Sequence, residues 1–242
     1  MPARDVTLSI VSHRQNELVN RLLDDIERCC AHRVALLLTE NLAEQTPLAT
    51  AKLSCPVKTL RNQRIKGFGA NHNAAFAFCE TPYFCVVNPD LRLPNDPFPT
   101  LVESLQRENA AAAGPLVRNP AGAIEDSARH FPTVGSLLRK LLRPAAGPDY
   151  PTNRGPFRVD WVAGMFMLFS SAAYRGIGGF DERYFLYYED VDICRRLGKT
   201  GWSVIYDPRA EVIHDARRAS RREIRHAWHH LSSVLRFLAR SG

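Results

Sequence analysis

Residues 178–196 read G-G-F-D-E-R-Y-F-L-Y-Y-E-D-V-D-I-C-R-R and hold five carboxylates and five aromatic rings within nineteen positions. Gly178-Gly179 suits a tight turn, because a residue without Cβ enters positive φ at no steric cost. From Glu189 the pattern changes. Val191, Cys194 and Leu197 recur at helical spacing, with Arg195, Arg196 and Lys199 toward the end. Acids in a first turn and bases in a last turn complement a helix macrodipole. The pattern predicts a helix opening at Glu189-Asp190 beside aromatic walls. In such low-dielectric surroundings a carboxylate pKa rises until the group can act as a general base. Taken alone, the same acids also fit a plain role, capping the helix and pairing with Arg183, Arg195 or Arg196.

Outward from this stretch, apolar runs alternate with helical patterns. Residues 6–11 (V-T-L-S-I-V) precede S-H-R-Q-N and then Leu18, Leu22, Leu23 and Ile26 at helical spacing. Residues 34–38 (V-A-L-L-L) end in T-E-N, residues 57–60 form a third run, and residues 83–87 (Y-F-C-V-V) end in N-P-D. This alternation predicts an α/β fold with a mostly parallel sheet covered on both faces. Ligands of such sheets bind beyond the carboxyl ends of the strands. Ser12-His13, Thr39-Glu40-Asn41 and Asn88-Pro89-Asp90 should therefore collect on one rim. Further on, the pattern predicts a helix over residues 98–108, a strand over 110–117 and a short basic helix over 137–143. Residues 144–156, with four prolines and two glycines, read as a loop. Residues 160–169 are one apolar run containing Gly164, and 202–206 and 211–213 read as two late strands, with His214 directly after.

Two short motifs carry chemistry with little specificity. G-F-G-A-N-H-N, from Gly67, lacks the full G-x-G-x-x-G spacing and any G-K-[ST]. A glycine turn leading into a helix over residues 70–79 accounts for it equally. Asn88-Pro89-Asp90 offers one acid to a hard cation, which takes substrate phosphates and waters as its other ligands. The same tripeptide also makes an Asx or proline turn.

The composition, 45% hydrophobic and 24% charged over 242 residues, is that of an ordinary globular chain. No apolar run reaches the roughly 20 residues of a membrane span, and M-P-A-R-D lacks a signal-peptide core. Six cysteines without a C-x-x-C pair fit a reducing cytoplasm. The net charge of +7 lies almost wholly from Arg217 onward, where seven arginines face the single acid Glu223. That is a local basic feature, not a surface made for nucleic acid. In residues 221–240, Ile224, Trp228, Leu231, Leu235 and Leu238 share one helix face, with arginines and His226, His229 and His230 elsewhere. Such a basic amphipathic helix fits anionic lipid at the inner face of a membrane. It fits equally a terminal helix docked on the core or on a second copy.

Read together and in order, S-I-V-S-H-R, T-E-N, G-F-G-A-N-H-N, V-V-N-P-D, S-A-R-H-F-P, W-V-A-G-M-F-M-L, the 178–196 stretch and H-D-A-R-R-A-S resemble family-2 glycosyltransferases of the GT-A fold. The likeness covers about residues 6–220 and is nearest the bacterial rhamnosyltransferase branch. It implies a Rossmann-like, mostly parallel sheet flanked by helices, with a C-terminal amphipathic helix, in one domain over residues 1–242. Residues 1–94 would be the nucleotide-sugar-binding half, 95–215 the acceptor and catalytic half, and 216–242 the terminal helix.

The resemblance further implies inverting transfer from a nucleotide-diphosphate sugar, with thymidine-diphosphate-rhamnose the donor this branch suggests. A divalent Mg or Mn would sit on the diphosphate, and a glycan or polyprenyl-linked hydroxyl would accept the sugar. By motif position, Asp190 is the base, with Glu189 beside it in the catalytic pair. Ser12, His13, Asn41, Gly67, Asn71, Asn88 and Arg217 bind the donor. Ser12 and Asn41 lie at the nucleoside, Asn71 near the ribose or diphosphate, and Asp90 and His214 at the metal. Two positions depart from the family: Asn41 stands where many relatives carry Asp, and N-P-D stands for the more usual D-x-D. Two other classes compete: a protein of this fold that binds or hydrolyses the donor without transfer, and a basic nucleic-acid-binding protein. For the last there is no interleaving of aromatic and basic residues.

Overall fold

The computed structural model describes residues 4–133, 135, 148–215, 232–234 and 236–238. Strand β1, Val6–His13, is buried on both faces from Val6 to Ile10, as a central parallel strand requires. It pairs in parallel with β2, Val34–Leu42, on one side and with β4, Tyr83–Val87, on the other. Beyond β2 lies β3, Val57–Arg61, a half-exposed parallel edge. β11, Phe166–Ser170, runs antiparallel to both β4 and β6, Ala112–Arg118, and so joins the first half of the sheet to the second. β12, Val204–His214, lies parallel to β6 and antiparallel to the two-residue β5, Leu91–Arg92. With β7, Ile124–Glu125, on β6 and β9, Phe157–Val159, on β12, this makes ten strands in one sheet. A separate small ladder pairs β8, Ala128–Arg129, with β10, Trp161–Val162.

Helices cover both faces, each through its own apolar stripe. α1, Asn16–Cys29, turns Leu18, Val19, Leu22, Leu23 and Ile26 inward, and with α3, Phe98–Arg107, it covers the face that carries Val6, Leu8 and Ile10. On the other face lie α2, Phe68–Phe76, α4, Ser171–Gly176, and α5, Glu189–Lys199. Within α5, Val191, Ile193, Cys194 and Leu197 are buried; each of the larger aliphatic chains stabilises the fold by about 1.5–3 kcal/mol. Gly178 and Gly179 take φ of 73° and 70°, the turn their sequence predicts.

Three local expectations need correction. Residues 160–169 are two strands in two different sheets, because the chain turns at Ala163-Gly164-Met165 between β10 and β11. The two late strands are one strand, β12, with a bulge between Asp207 and Glu211. Asp207 within the bulge is buried and held by Ser104 and Arg209, which is why a charged stretch could stay in the strand. Gly69 is helical rather than part of a turn, since α2 opens at Phe68. The basic helix expected over 137–143 lies outside the described residues. So do Ile224, Trp228, Leu231 and Leu235 of the terminal helix. Of that helix, 232–234 and 236–238 are described as helical, and Phe237, one position away from the expected face, is the buried anchor. It packs on Tyr188 at 5.5 Å between ring centroids and lies under the Arg195 guanidinium at 3.8 Å.

Candidate active site

The ends of β1, β2 and β4 come together, because in-register parallel pairing places Ser12 opposite Glu40 and Ile10 opposite Val87. At this rim Ser12 is buried, its hydroxyl donating to Asn16 Oδ1 at 2.5 Å and accepting from the Gln15 amide at 3.2 Å. It builds the turn into α1. Asn41 holds the following loop: its Oδ1 accepts from the Lys66 amide and from Asn62 Nδ2, both at 2.9 Å, and its Nδ2 donates to the Lys66 carbonyl at 2.9 Å. Asn71, also buried, donates to the carbonyls of Lys66 and Gly67 and accepts from Asn62 Nδ2 at 2.6 Å. The side-chain hydrogen bonds of Asn41 and Asn71 are thus spent within the rim. His13, exposed, has Nδ1 3.3 Å from Asn41 Nδ2 and is the group of this set that faces outward. Asn62 was not singled out by sequence, since a lone asparagine after a strand gives no signal of the two partners it joins.

Gly67 is explained by packing. A Cβ there would meet the Phe185 carbonyl oxygen at 2.6 Å and its Cα at 2.9 Å, and the Phe68 amide donates to that same carbonyl at 2.9 Å. The loop leading to Glu189 is therefore clamped to the start of α2. His72, from the same motif, is a core histidine: it bonds Ser9 Oγ at 2.8 Å and burial lowers its pKa to about 3. A shallow cleft lined by Lys66, Gly67, Asn73, Glu182 and Phe185 opens along α2 and contains neither carboxylate of the Glu189-Asp190 pair.

Tyr187 and Tyr188 adopt φ of 71° and 69°, a left-handed conformation that costs a bulky residue of order 1–3 kcal/mol and persists only under external constraint. Tyr188 is buried and held by Phe237, and the Ser233 hydroxyl donates to the Leu186 carbonyl at 3.1 Å. This strained pair sets the direction in which α5 begins. Glu189 points inward and is 5% exposed, with Oε2 buried and lacking a hydrogen-bond partner. Asp190 is partly buried. Its Oδ2 accepts from the Gly164 amide and its Oδ1 from the Val191 amide, both at 2.9 Å. Burial, followed by the charge of Asp190, raises the Glu189 carboxyl well above the ordinary range. Burial also raises Asp190, against the opposing effect of the Gly164 and Val191 amides and of Arg129. The two titrate as one pair.

A second titratable group sits at the other end of the Gly164 turn. The Asn88 amide donates to the Met165 carbonyl at 2.9 Å, tying Asn88-Pro89-Asp90 to the residue next to Gly164. Asp90 Oδ2 lies 3.3 Å from His214 Nε2, and Glu125 Oε2 lies 2.7 Å from His214 Nδ1. Burial lowers the His214 pKa, but hydrogen bonds and charge from Asp90 and Glu125 overcome it and raise the ring to about 9. Asp90 Oδ1 is buried and unpartnered. Among the described residues no three histidine, cysteine or acidic side chains converge as a metal cage. Asp90 and His214 offer two donors and an orphaned oxygen, a set that fits a hard cation completed by phosphate and water. Arg217 lies outside the described residues.

The chain matches known proteins over most of its length. The family model described as glycosyltransferase like family 2 matches residues 2–229. The N-acetylglucosaminyl-diphospho-decaprenol L-rhamnosyltransferase of Mycobacterium tuberculosis is 31% identical over 99% of this chain and 84% of its own length. Rhamnosyltransferase WbbL of Escherichia coli is 28% identical over 97% and 93%. Among solved structures, a mannosyltransferase from Pyrobaculum calidifontis in complex with GDP-Man and Mn2+ superposes with a TM-score of 0.68 at 15% identity, over 97% of this chain and 65% of that one. GalNAc-T7 with UDP, GalNAc and Mn2+ gives 0.68 at 14%, over 89% of this chain and 44% of that one. No described helix is long and apolar enough to cross a membrane. By its matched family model and its near-full-length relatives, the chain belongs to glycosyltransferase family 2.

Proposed function

We propose that the enzyme transfers rhamnose from a nucleoside-diphosphate donor, of the thymidine-diphosphate-rhamnose class, to a hydroxyl of a polyprenyl-diphosphate-linked sugar, with inversion. The sugar and acceptor are inferred from the names of the two long relatives. The observation that carries the mechanism is the Gly164-Met165 turn, which ties Asp190 to the loop bearing Asp90. The donor lies over the rim of β1, β2 and β4, where Asn41 and Asn71 hold the loop and His13 is free to contact it. Ser12 and Gly67 shape the surrounding backbone, Asn88 holds the Asp90 loop, and Arg217 supplies charge near the diphosphate. Asp90 and His214 would hold Mg or Mn, which would supply positive charge to balance the departing diphosphate.

Asp190 takes the proton of the acceptor hydroxyl as that oxygen attacks the anomeric carbon from the face opposite the diphosphate. The bond from that carbon to the diphosphate oxygen breaks in the same displacement, so the anomeric configuration inverts. Glu189, buried beneath, keeps the pair's raised proton affinity and does not reach the acceptor. The test is a transfer assay with purified enzyme, candidate nucleotide sugars and a polyprenyl-diphospho-N-acetylglucosamine acceptor, with and without Mg or Mn. Transfer of rhamnose with an inverted linkage supports the reading; transfer of another sugar, or retention, rejects it.

A further inference from the structure

We propose that Glu125 is a positioning residue for the cation site, holding His214 so that its Nε2 faces Asp90. The proposal rests on the reading of Asp90 and His214 as the metal-holding pair. Glu125 lies on β7, where antiparallel pairing places it opposite Val117 and places Ile124 opposite Arg118. The connecting hairpin is closed by one side chain: Asn119 Oδ1 accepts from the amides of Ala121 and Ala123, both at 3.0 Å, and Gly122 takes φ of 81°. His214 ends β12, where it pairs with Leu91 next to Asp90. The ring thus sits between two carboxylates, Glu125 on β7 and Asp90 in the turn before β5, with 2.7 Å to Glu125 Oε2 and 3.3 Å to Asp90 Oδ2.

A histidine has two unlike nitrogens, and the hydrogen bond made by one decides the role of the other. With Nδ1–H donated to Glu125, a ring that gives up its Nε2 proton to a cation would present that lone pair beside Asp90, on the side where Asp90 Oδ1 is buried without a partner. Outer carboxylates of this kind fix the tautomer of a ligating imidazole and raise its basicity, and losing one weakens metal affinity 10- to 100-fold. A purely structural Glu125 would instead neutralise a permanently protonated ring, and its loss would leave cation affinity unchanged.

Mn2+ titration of the full chain, followed by the electron paramagnetic resonance of the free ion, separates these roles. Glu125→Ala should raise the Mn2+ Kd by about 10- to 100-fold. Glu125→Gln, whose amide oxygen still accepts from Nδ1–H, should recover most of that loss. Asp90→Ala and His214→Ala should lose binding altogether. Nitrogen-15 spectra of the Mg2+-loaded wild-type ring should show the Nδ1–H tautomer, a readout that does not depend on any variant folding. Wild-type affinity in Glu125→Ala, with binding lost in the Asp90 and His214 variants, overturns the role of Glu125 alone. Unchanged affinity in all three variants overturns the cation reading as well. An Nε2–H tautomer in the loaded wild type overturns the proposal by itself.

Discussion

The Gly164 amide donates to Asp190 Oδ2 at 2.9 Å, and the carbonyl of its neighbour Met165 accepts from the Asn88 amide at 2.9 Å. Three residues of turn thus connect two acidic sites that are 100 positions apart in sequence (Asp90 and Asp190). A carboxylate fixed by a backbone amide keeps its direction without side-chain entropy to lose at the moment of reaction, which is what a base must offer. Asp190 meets that condition, whereas Glu189 is turned into the interior.

The contact between Gly67 and Phe185 holds the loop on which this direction depends. A methyl at Gly67 would overlap the Phe185 backbone at 2.6–2.9 Å, and backbone cannot swing aside as a flexible side chain can. Gly67→Ala should destabilise the fold by about 1–3 kcal/mol, as overpacking does. Urea unfolding midpoints at constant m-value measure it; an unchanged midpoint would mean that the clamp is dispensable.

What could be seen in advance, and what could not, follows from the range of each signal. The period of apolar residues located β1, β2, β3 and β4, and the acid-to-base gradient placed the start of α5 at Glu189, because both signals are local. Asp90, His214 and the Glu189-Asp190 pair are legible in the sequence as candidates by residue type. Their division into an inward, unpartnered Glu189 and an Asp190 held by the Gly164 amide follows the positive φ of Tyr187 and Tyr188, which tyrosine does not advertise. Glu125 and Asn62 act only through residues distant in sequence, so no spacing rule reaches them. The break at Gly164 was hidden in an unbroken apolar run, and the bulge in β12 looked like the gap between two strands. Phe237 fell off the expected helix stripe because its partner is the tyrosine loop rather than a flat face.

Glu189 predicts a distinctive pH dependence. Its native-state pKa lies above the unfolded value, so its contribution to stability is full at low pH and is lost as pH rises through the native value. Glu189→Gln keeps the shape and does not titrate. Its Tm should therefore exceed that of the wild type by an amount that widens as pH rises above the ordinary carboxylate range, with Asp190, which titrates as one pair with Glu189, adding to the same difference. Thermal melts of both proteins across that rise in pH test this; a difference independent of pH would contradict it.

Phe237 predicts a link between the terminal helix and the site. It is buried against Tyr188 and Arg195, and truncating a core Phe costs about 3–5 kcal/mol where the surroundings cannot collapse. Here the loss should stay local. Phe237→Ala should speed hydrogen exchange at residues 186–188 and lower kcat about tenfold, a barrier change of roughly 1.4 kcal/mol, with the donor KM nearly unchanged. Unaltered exchange in that loop would show that the helix does not brace it.

The central claim is that Asp190 is the base. Asn at this position can still accept from the Gly164 amide through its oxygen, so the fold and the donor site should survive. The measurement is single-turnover sugar transfer by Asp190→Asn, with donor binding followed in parallel by thermal shift. The account predicts a rate lower by about 10²- to 10⁴-fold with the donor-induced shift retained. Transfer at the wild-type rate would contradict it.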